Sequence, residues 1–297
     1  MHITLINPAV PRPTFDSTCP QLPPLGLLYI AAMLEKHGHA VTVIDAELFC
    51  YTPHEVVDRI PAQTELVGLG GTSFQAQEAF AIAALVRSRF PGCSVIYGGP
   101  HACALTYDVF AQCPAIDHVI LGPGEVPCLA LVNGEHPEHI RGCLSRGQAP
   151  MPAPVFAEPL PFAEQPQPAR HLVPIRAYTG AGRLPFTQTS MMITRGCPFR
   201  CMFCSSTVWG KQWSKRDAED IIAELKLLRD VGFTEIFFQD DTINVDVQWA
   251  ERLFSEIKNA ELSLRYKLCL RVNEKLLPDS LLAMHGRSRG QTRFFRC

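Results

Sequence analysis

A chain of 297 residues with 47% hydrophobic and 19% charged residues has apolar material for two ordinary cores and too little charge for disorder. A net charge of −2 excludes the basic footprint of a nucleic-acid or anionic-membrane binder. The N-terminus has no basic, apolar leader, and no stretch reaches the ~18 apolar residues of a membrane span, so the expected location is the cytoplasm.

Five short apolar runs read as buried strands: Ile3–Ile6, Val41–Ile44, Leu66–Leu69, Ser94–Tyr97 and His118–Leu121. Helical patterns separate them. Leu25 to His37 is apolar on one face and stops at Gly38. Thr52-Pro53-His54-Glu55 is a capping box with proline at the first helical position. Gln75 to Phe90 is a further helix, closed by Pro91-Gly92. Such alternation predicts an α/β fold with a parallel, doubly wound sheet, whose ligands sit beyond the C-terminal strand ends. Those ends are glycine-rich here: Gly70-Gly71-Thr72-Ser73, Gly98-Gly99-Pro100-His101 and Gly122-Pro123-Gly124-Glu125. Glycine lets backbone approach a ligand closely, although tight turns alone also use it.

Eight prolines between Pro150 and Pro174 predict an extended linker. The domain boundaries read as 1–147, a linker over 148–185, and 186–297. The second series holds strands at Gln188–Thr194, Glu235–Phe238 and Ser263–Leu270. Its helices start after Ser214-Lys215-Arg216-Asp217, at Asp246 and at Pro278. Repeated crossovers of this kind build parallel sheets or barrels.

Most of the twelve cysteines, in a long chain without a leader, are not expected to form a disulfide framework. Cys50, Cys93, Cys113, Cys128 and Cys269 are expected as small buried hydrophobes. Cys197, Cys201 and Cys204 differ. Their C-x3-C-x2-C spacing lets three thiolates converge on one soft metal site. A four-iron cubane held by three cysteines keeps one iron open to a substrate's amine and carboxylate. A structural zinc site would want a fourth ligand at short spacing, and a redox pair would more often read C-x2-C alone.

The segment Arg195-Gly196-Cys197-Pro198-Phe199-Arg200-Cys201-Met202-Phe203-Cys204 resembles the radical S-adenosylmethionine superfamily. That resemblance implies a 4Fe–4S cluster on the three cysteines and Phe203 near the adenine. It implies S-adenosylmethionine contacts from Gln239, Asp240 and Asp241, where the family often has Gly-Gly-Glu, and from Arg271 and Asn273. The first half resembles the cobalamin-binding subfamily, with a Rossmann- or flavodoxin-like domain. Cobalamin is then expected at Thr72, Ser73, Gly98, Gly99, Pro100, His101, Gly122, Gly124 and Glu125. The loop Asn7-Pro8-Ala9-Val10-Pro11-Arg12 has no histidine where many such domains ligate cobalt, and His101 is expected to hydrogen-bond within its loop.

The resemblance implies methyl transfer to an unactivated carbon through a 5′-deoxyadenosyl radical and methylcobalamin. The alternatives are radical cyclisation or rearrangement, and a non-catalytic cobalamin- and cluster-binding fragment. The implied partners are a small-molecule substrate and an external electron donor of flavodoxin or ferredoxin type, with no nucleic acid and no membrane. Residues 186–297 supply three predicted strands, about half of a six-repeat barrel, and end in the arginine-rich stretch from His285 to Cys297. They are therefore expected to be an incomplete (β/α) partial barrel, truncated at its C-terminus and poorly soluble without a partner.

Overall fold

The computed structural model describes residues 1–11, 22–148, 153–178, 188–202, 204, 208–272, 275–278, 281 and, for the backbone, 292–296. The chain divides into two compact units. The first is built on Pro23–Ala177 with the opening strand, the second on Gly210–Cys297 with the stretch before it.

The first unit begins with β1 (His2–Asn7), α1 (Leu25–Lys36), β2 (Ala40–Asp45), α2 (Ala46–Phe49), α3 (Pro53–Asp58) and β3 (Leu66–Gly70). It continues with α4 (Ala76–Arg89), β4 (Ser94–Gly98), α5 (Pro100–Leu105), α6 (Asp108–Gln112), β5 (His118–Ile120), α7 (Glu125–Val132) and β6 (Cys143–Ser145). The sheet order is β2-β1-β3-β4-β5-β6, parallel except for the last pair. This is the flavodoxin-like winding, with its switch point between β1 and β3. Side chains alternate to two cores because strand residues point to opposite faces. Ile6, Val67, Leu69, Val95 and Val119 pack with Val56, Val57, Ile82 and Val86 on one side. Ile3, Leu5, Leu66, Ile96 and Ile120 pack with Ala31, Leu34, Cys128 and Val132 on the other.

The local signals act as expected. Thr52 accepts from the Glu55 N–H while the Glu55 carboxylate accepts from the Thr52 N–H, closing the capping box. Gly38 adopts a φ of 84° just past α1. Cys93, Cys113 and Cys128 are buried. Cys50 is exposed instead, at the left-handed end of α2, and Cys269 is half-buried.

The described part of the proline-rich stretch is more than a tether. It runs extended, with 3-10 turns at Phe162–Glu164, Arg170–Leu172 and Ile175–Ala177. The Ala157 N–H donates to the Leu121 carbonyl (2.8 Å) and the Ala169 N–H to the Leu28 carbonyl (3.0 Å), and both alanines are buried. Prolines remove donors, so the few remaining N–H groups find fixed acceptors on the first unit.

The second unit contains β7 (Gln188–Met191), β8 (Thr194–Arg195), β9 (Ser214–Lys215), α8 (Ala218–Val231), β10 (Glu235–Phe238), α9 (Val247–Asn259), β11 (Arg265–Leu270) and β12 (Thr292–Arg296). The expected strand Gln188–Thr194 is broken. β7 joins the main sheet, while β8 peels off to pair antiparallel with β9. The main sheet is β12-β11-β10-β7, parallel throughout, so it has a fourth strand beyond the three expected. The helix expected at Pro278 falls mostly outside the described residues. α8 buries Ile221, Leu225 and Leu228 and stops at Gly232 with φ 109°. α9 is capped by Asp246, which accepts from the Trp249 N–H at 2.9 Å, and buries Trp249, Ala250, Leu253, Phe254 and Ile257. No described helix is long and apolar enough to cross a membrane.

Candidate functional site

In a parallel sheet all C-terminal strand ends lie at one edge. In the second unit, that edge carries the cysteine loop after β7 and β8, residues 239–246 after β10, and Arg271 after β11. The base of the cysteine loop is held by Asp240. Its Oδ1 accepts from the Ile193 N–H (3.0 Å), from the Thr194 hydroxyl (2.7 Å) and from the Thr194 N–H. Asp240 is buried, and that desolvation pushes its carboxyl up to about 7. Its Oδ2 has no hydrogen-bond partner among the described residues. Arg216 grips the same junction from the other side. It donates to the Met192 carbonyl (3.1 Å) and pairs with Glu224 (2.6 Å), both side chains being buried.

Further groups tie the cysteine loop to its neighbours. The Lys211 ammonium donates to the Phe199 carbonyl (3.0 Å), and the Trp213 indole donates to the Thr242 carbonyl (3.0 Å). Arg271 reaches the loop directly. Its Nη1 lies 3.1 Å from Cys201 Sγ, and its guanidinium stacks 4.0 Å from the Phe199 ring centroid. Asn244, fully buried, accepts from the Arg271 N–H (2.9 Å) and donates to the Arg271 carbonyl (2.9 Å) and the Leu276 carbonyl (2.5 Å).

Cys197 and Cys201 are half-buried and Cys204 is exposed, and all three thiols are free. The Cys204 N–H donates to the Cys201 carbonyl at 3.1 Å, which makes a turn of the last two. Among the described residues, no group of three or more His, Cys, Asp or Glu is arranged to hold a metal ion. The donor chemistry nevertheless fits a soft metal cluster: three accessible thiols on one short loop, with a guanidinium beside one of them. Loading a cluster requires the thiols to draw together.

The other expected S-adenosylmethionine contacts divide. Arg271 is brought to the cysteine loop. Asp240 is turned inward as a backbone anchor. Gln239 and Asp241 are exposed at the strand end, and the Gln239 N–H donates to the Met191 carbonyl (2.8 Å). Phe203 and Asn273 lie outside the described residues. Asn244, Lys211, Trp213 and Arg216 were not anticipated. The partners named above lie 8 to 32 residues away, and no local motif marks such pairs.

In the first unit the strand-end loops are knitted together. The Gln75 amide donates to Asn7 Oδ1 (3.0 Å) and the Pro8 carbonyl (2.7 Å), and accepts from the Thr72 N–H (2.9 Å). Asn7 in turn donates to Asp45 (2.8 Å), so side chains span the switch point from β2 to β3. Ser73 and His101 share a hydrogen bond of 2.9 Å, which joins the loops after β3 and β4 and gives His101 its expected loop role. His101 is buried, its Nε2 has no hydrogen-bond partner among the described residues, and burial lowers its pKa.

The glycines are pressed against the protein itself. A Cβ on Gly99, at φ +92°, would stand 3.0 Å from the Gly71 nitrogen, and one on Gly122, at φ +88°, 2.9 Å from the Ala157 carbonyl oxygen. A Cβ on Gly124 would stand 2.6 Å from the Ile30 side chain, whereas one on Gly98 would make only ordinary contact with Ile120 at 3.6 Å, and Glu125 is buried at the start of α7. Thr72, Ser73 and Pro100 are left exposed at this edge. An exposed polar rim over a glycine-tightened floor, with one orphan imidazole nitrogen, fits an amide-bearing cofactor at the strand ends.

Residues 14–132 match the family model of the B12 binding domain, and residues 191–287 match that of the Radical SAM superfamily. Over 264 residues the chain is 30% identical to an uncharacterised methyltransferase of Pyrococcus horikoshii, covering 84% of this chain and 56% of that protein. Over 266 residues it is 28% identical to the anaerobic magnesium-protoporphyrin IX monomethyl ester cyclase of a Synechocystis strain, covering 84% and 52%. The fold matches that of the radical S-adenosylmethionine methyltransferase TsrM of Kitasatospora setae, solved with cobalamin and a [4Fe-4S] cluster. The TM-score is 0.69 at 18% identity, over 99% of this chain and 58% of that one. The chain thus spans about half the length of the curated relatives it matches.

Proposed function

We propose, for a chain that belongs to the radical S-adenosylmethionine proteins carrying a B12-binding domain, that it holds the cofactors of a methyl transfer to an unactivated carbon of a small molecule. One observation carries this reading: three free thiols stand at the C-terminal edge of a parallel sheet, in a chain whose other sheet has the B12-binding fold. Cys197, Cys201 and Cys204 would hold a 4Fe–4S cluster. Thr72, Ser73, Gly98, Gly99, Pro100, His101, Gly122, Gly124 and Glu125 would border cobalamin. When bound, the cluster supplies the electron that splits S-adenosylmethionine into methionine and a 5′-deoxyadenosyl radical, and cobalamin supplies the methyl carrier.

The chain's own residues do the positioning. Asp240 and Arg216 fix the start of the cysteine loop from beneath, and Lys211 fixes its middle at the Phe199 carbonyl. Gln239 and Asp241 stand exposed at the same edge and are available to the amino group of S-adenosylmethionine. Gln75 and Asn7 lock the floor beneath the cobalamin loops. An external low-potential protein supplies electrons.

Anaerobic reconstitution with iron, sulfide and cobalamin tests this. Iron should bind in the wild type and not in a Cys197→Ala/Cys201→Ala/Cys204→Ala variant, and label should pass from the S-adenosylmethionine methyl group to product. Equal iron in both proteins overturns the cluster reading. The 28% identity to a cyclase favours a second reading, radical ring closure without methyl transfer. 5′-Deoxyadenosine formed with no labelled product would select it.

A further inference from the structure

The contact between Arg271 and Cys201 links groups 70 residues apart in the chain, and nothing about it is accidental in its support. Both backbone polar groups of Arg271 are taken by the side chain of Asn244, itself fully buried. The guanidinium is then steered twice, by the Phe199 ring at 4.0 Å and by the Cys201 sulfur at 3.1 Å. Both Phe199 and Cys201 belong to the cysteine loop. A planar guanidinium can stack and donate at once, whereas an ammonium cannot do both in the same geometry.

We infer that Arg271 is a positioning residue of the metal centre, donating an N–H···S bond to the Cys201 thiolate and setting the cluster's reduction potential, with Asn244 as its anchor. This rests on the cluster reading above and deepens it. The reduced cluster carries one more negative charge than the oxidised one. A fixed cation and an N–H donor at a ligand sulfur stabilise that extra charge and raise the potential. This places Arg271 at the thiolate, where the resemblance implied a contact to S-adenosylmethionine.

The test uses the full chain, reconstituted anaerobically, as wild type, Arg271→Gln and Arg271→Lys. Iron and sulfide per chain, far-ultraviolet circular dichroism, and an electron-paramagnetic-resonance redox titration are measured on each. The expected result is equal folding, a potential clearly more negative in Arg271→Gln, and an intermediate value in Arg271→Lys, which keeps the charge and loses the fork. Asn244→Ser should shift the potential in the same direction as Arg271→Gln. Loaded Arg271→Gln with the wild-type potential overturns the inference. So does an Arg271→Lys potential as negative as that of Arg271→Gln, because it removes the cation from the account. A wild type that takes up no iron overturns the cluster reading itself, a distinguishable failure.

Discussion

The two sets of strand-end loops are built on opposite plans. In the first unit the loops are closed among themselves: Gln75, Asn7, Asp45, Ser73 and His101 form bridges from loop to loop, and glycines let backbone lie on backbone. In the second unit the roots of the loops are anchored by buried charge, at Asp240, Arg216 and Glu224, while the tip carries free thiols and a Met202 side chain that is 100% exposed. The first plan suits a floor on which a large ready-made cofactor rests. The second suits a site that is completed only when metal draws its ligands in, because free thiols coordinate readily and buried charges cannot relax.

The sharpest break in this comparison is substitution of a single cysteine. Cys197→Ala, Cys201→Ala or Cys204→Ala should abolish the cluster, read as loss of bound iron and visible absorbance, with cobalamin uptake by the first unit unchanged. Next is Glu224→Ala, which removes the buried carboxylate from Arg216 and leaves it paired with the more exposed Asp220. Leaving a buried charge uncompensated costs about 3–5 kcal/mol, and Asp220 offsets part of that, so chemical denaturation should show a smaller but clear loss confined to the second unit. In the first unit Gln75→Ala removes two direct bridges across the switch point and a bond to Thr72 within its own loop, and about 1–3 kcal/mol of stability should go with them.

A subtler separation uses pH. The Asp240 carboxyl titrates near 7 in the folded chain against an ordinary value of 3.8. The folded state therefore holds its proton more tightly than the unfolded state. The stability this contributes is full below about pH 3.8 and falls as pH rises to about 7. Asp240→Asn should flatten that part of the second unit's melting profile and leave the first unit's profile alone. The smallest effect is expected from Asp246→Ala, which removes the cap of α9 and should cost about 1 kcal/mol in a thermal melt.

The architecture was legible wherever one physical rule dominated. Buried parallel strands read as apolar runs, and the ends of α1 and α3 read from Gly38 and the capping box, because those positions have few solutions. Three polar residues in a row hide their own geometry: in Gln239-Asp240-Asp241 no period tells which side chain turns inward, and Asp240 does so because the N–H groups freed where β7 breaks from β8 need an acceptor. The glycines read as positions where backbone approaches a ligand, and the atoms that a Cβ would meet at Gly99, Gly124 and Gly122 belong to Gly71, Ile30 and Ala157 of the chain itself. Asn244 carried no signal, since its meaning comes from Arg271 and Leu276, about 30 residues downstream. The proline-rich stretch looked like a spacer because proline density says what a segment cannot donate and nothing about where its remaining N–H groups go.

Asn244 has one more consequence. By accepting from the N–H and donating to the C=O of the same residue, its amide does for Arg271 what a neighbouring strand would do: it adds a rung to the ladder one step past the end of β11. The sheet is thereby lengthened by a side chain. The Arg271 amide should exchange its proton as slowly as those of the strand before it, although it sits in a loop, and the turns after β10 and β11 should move as one piece.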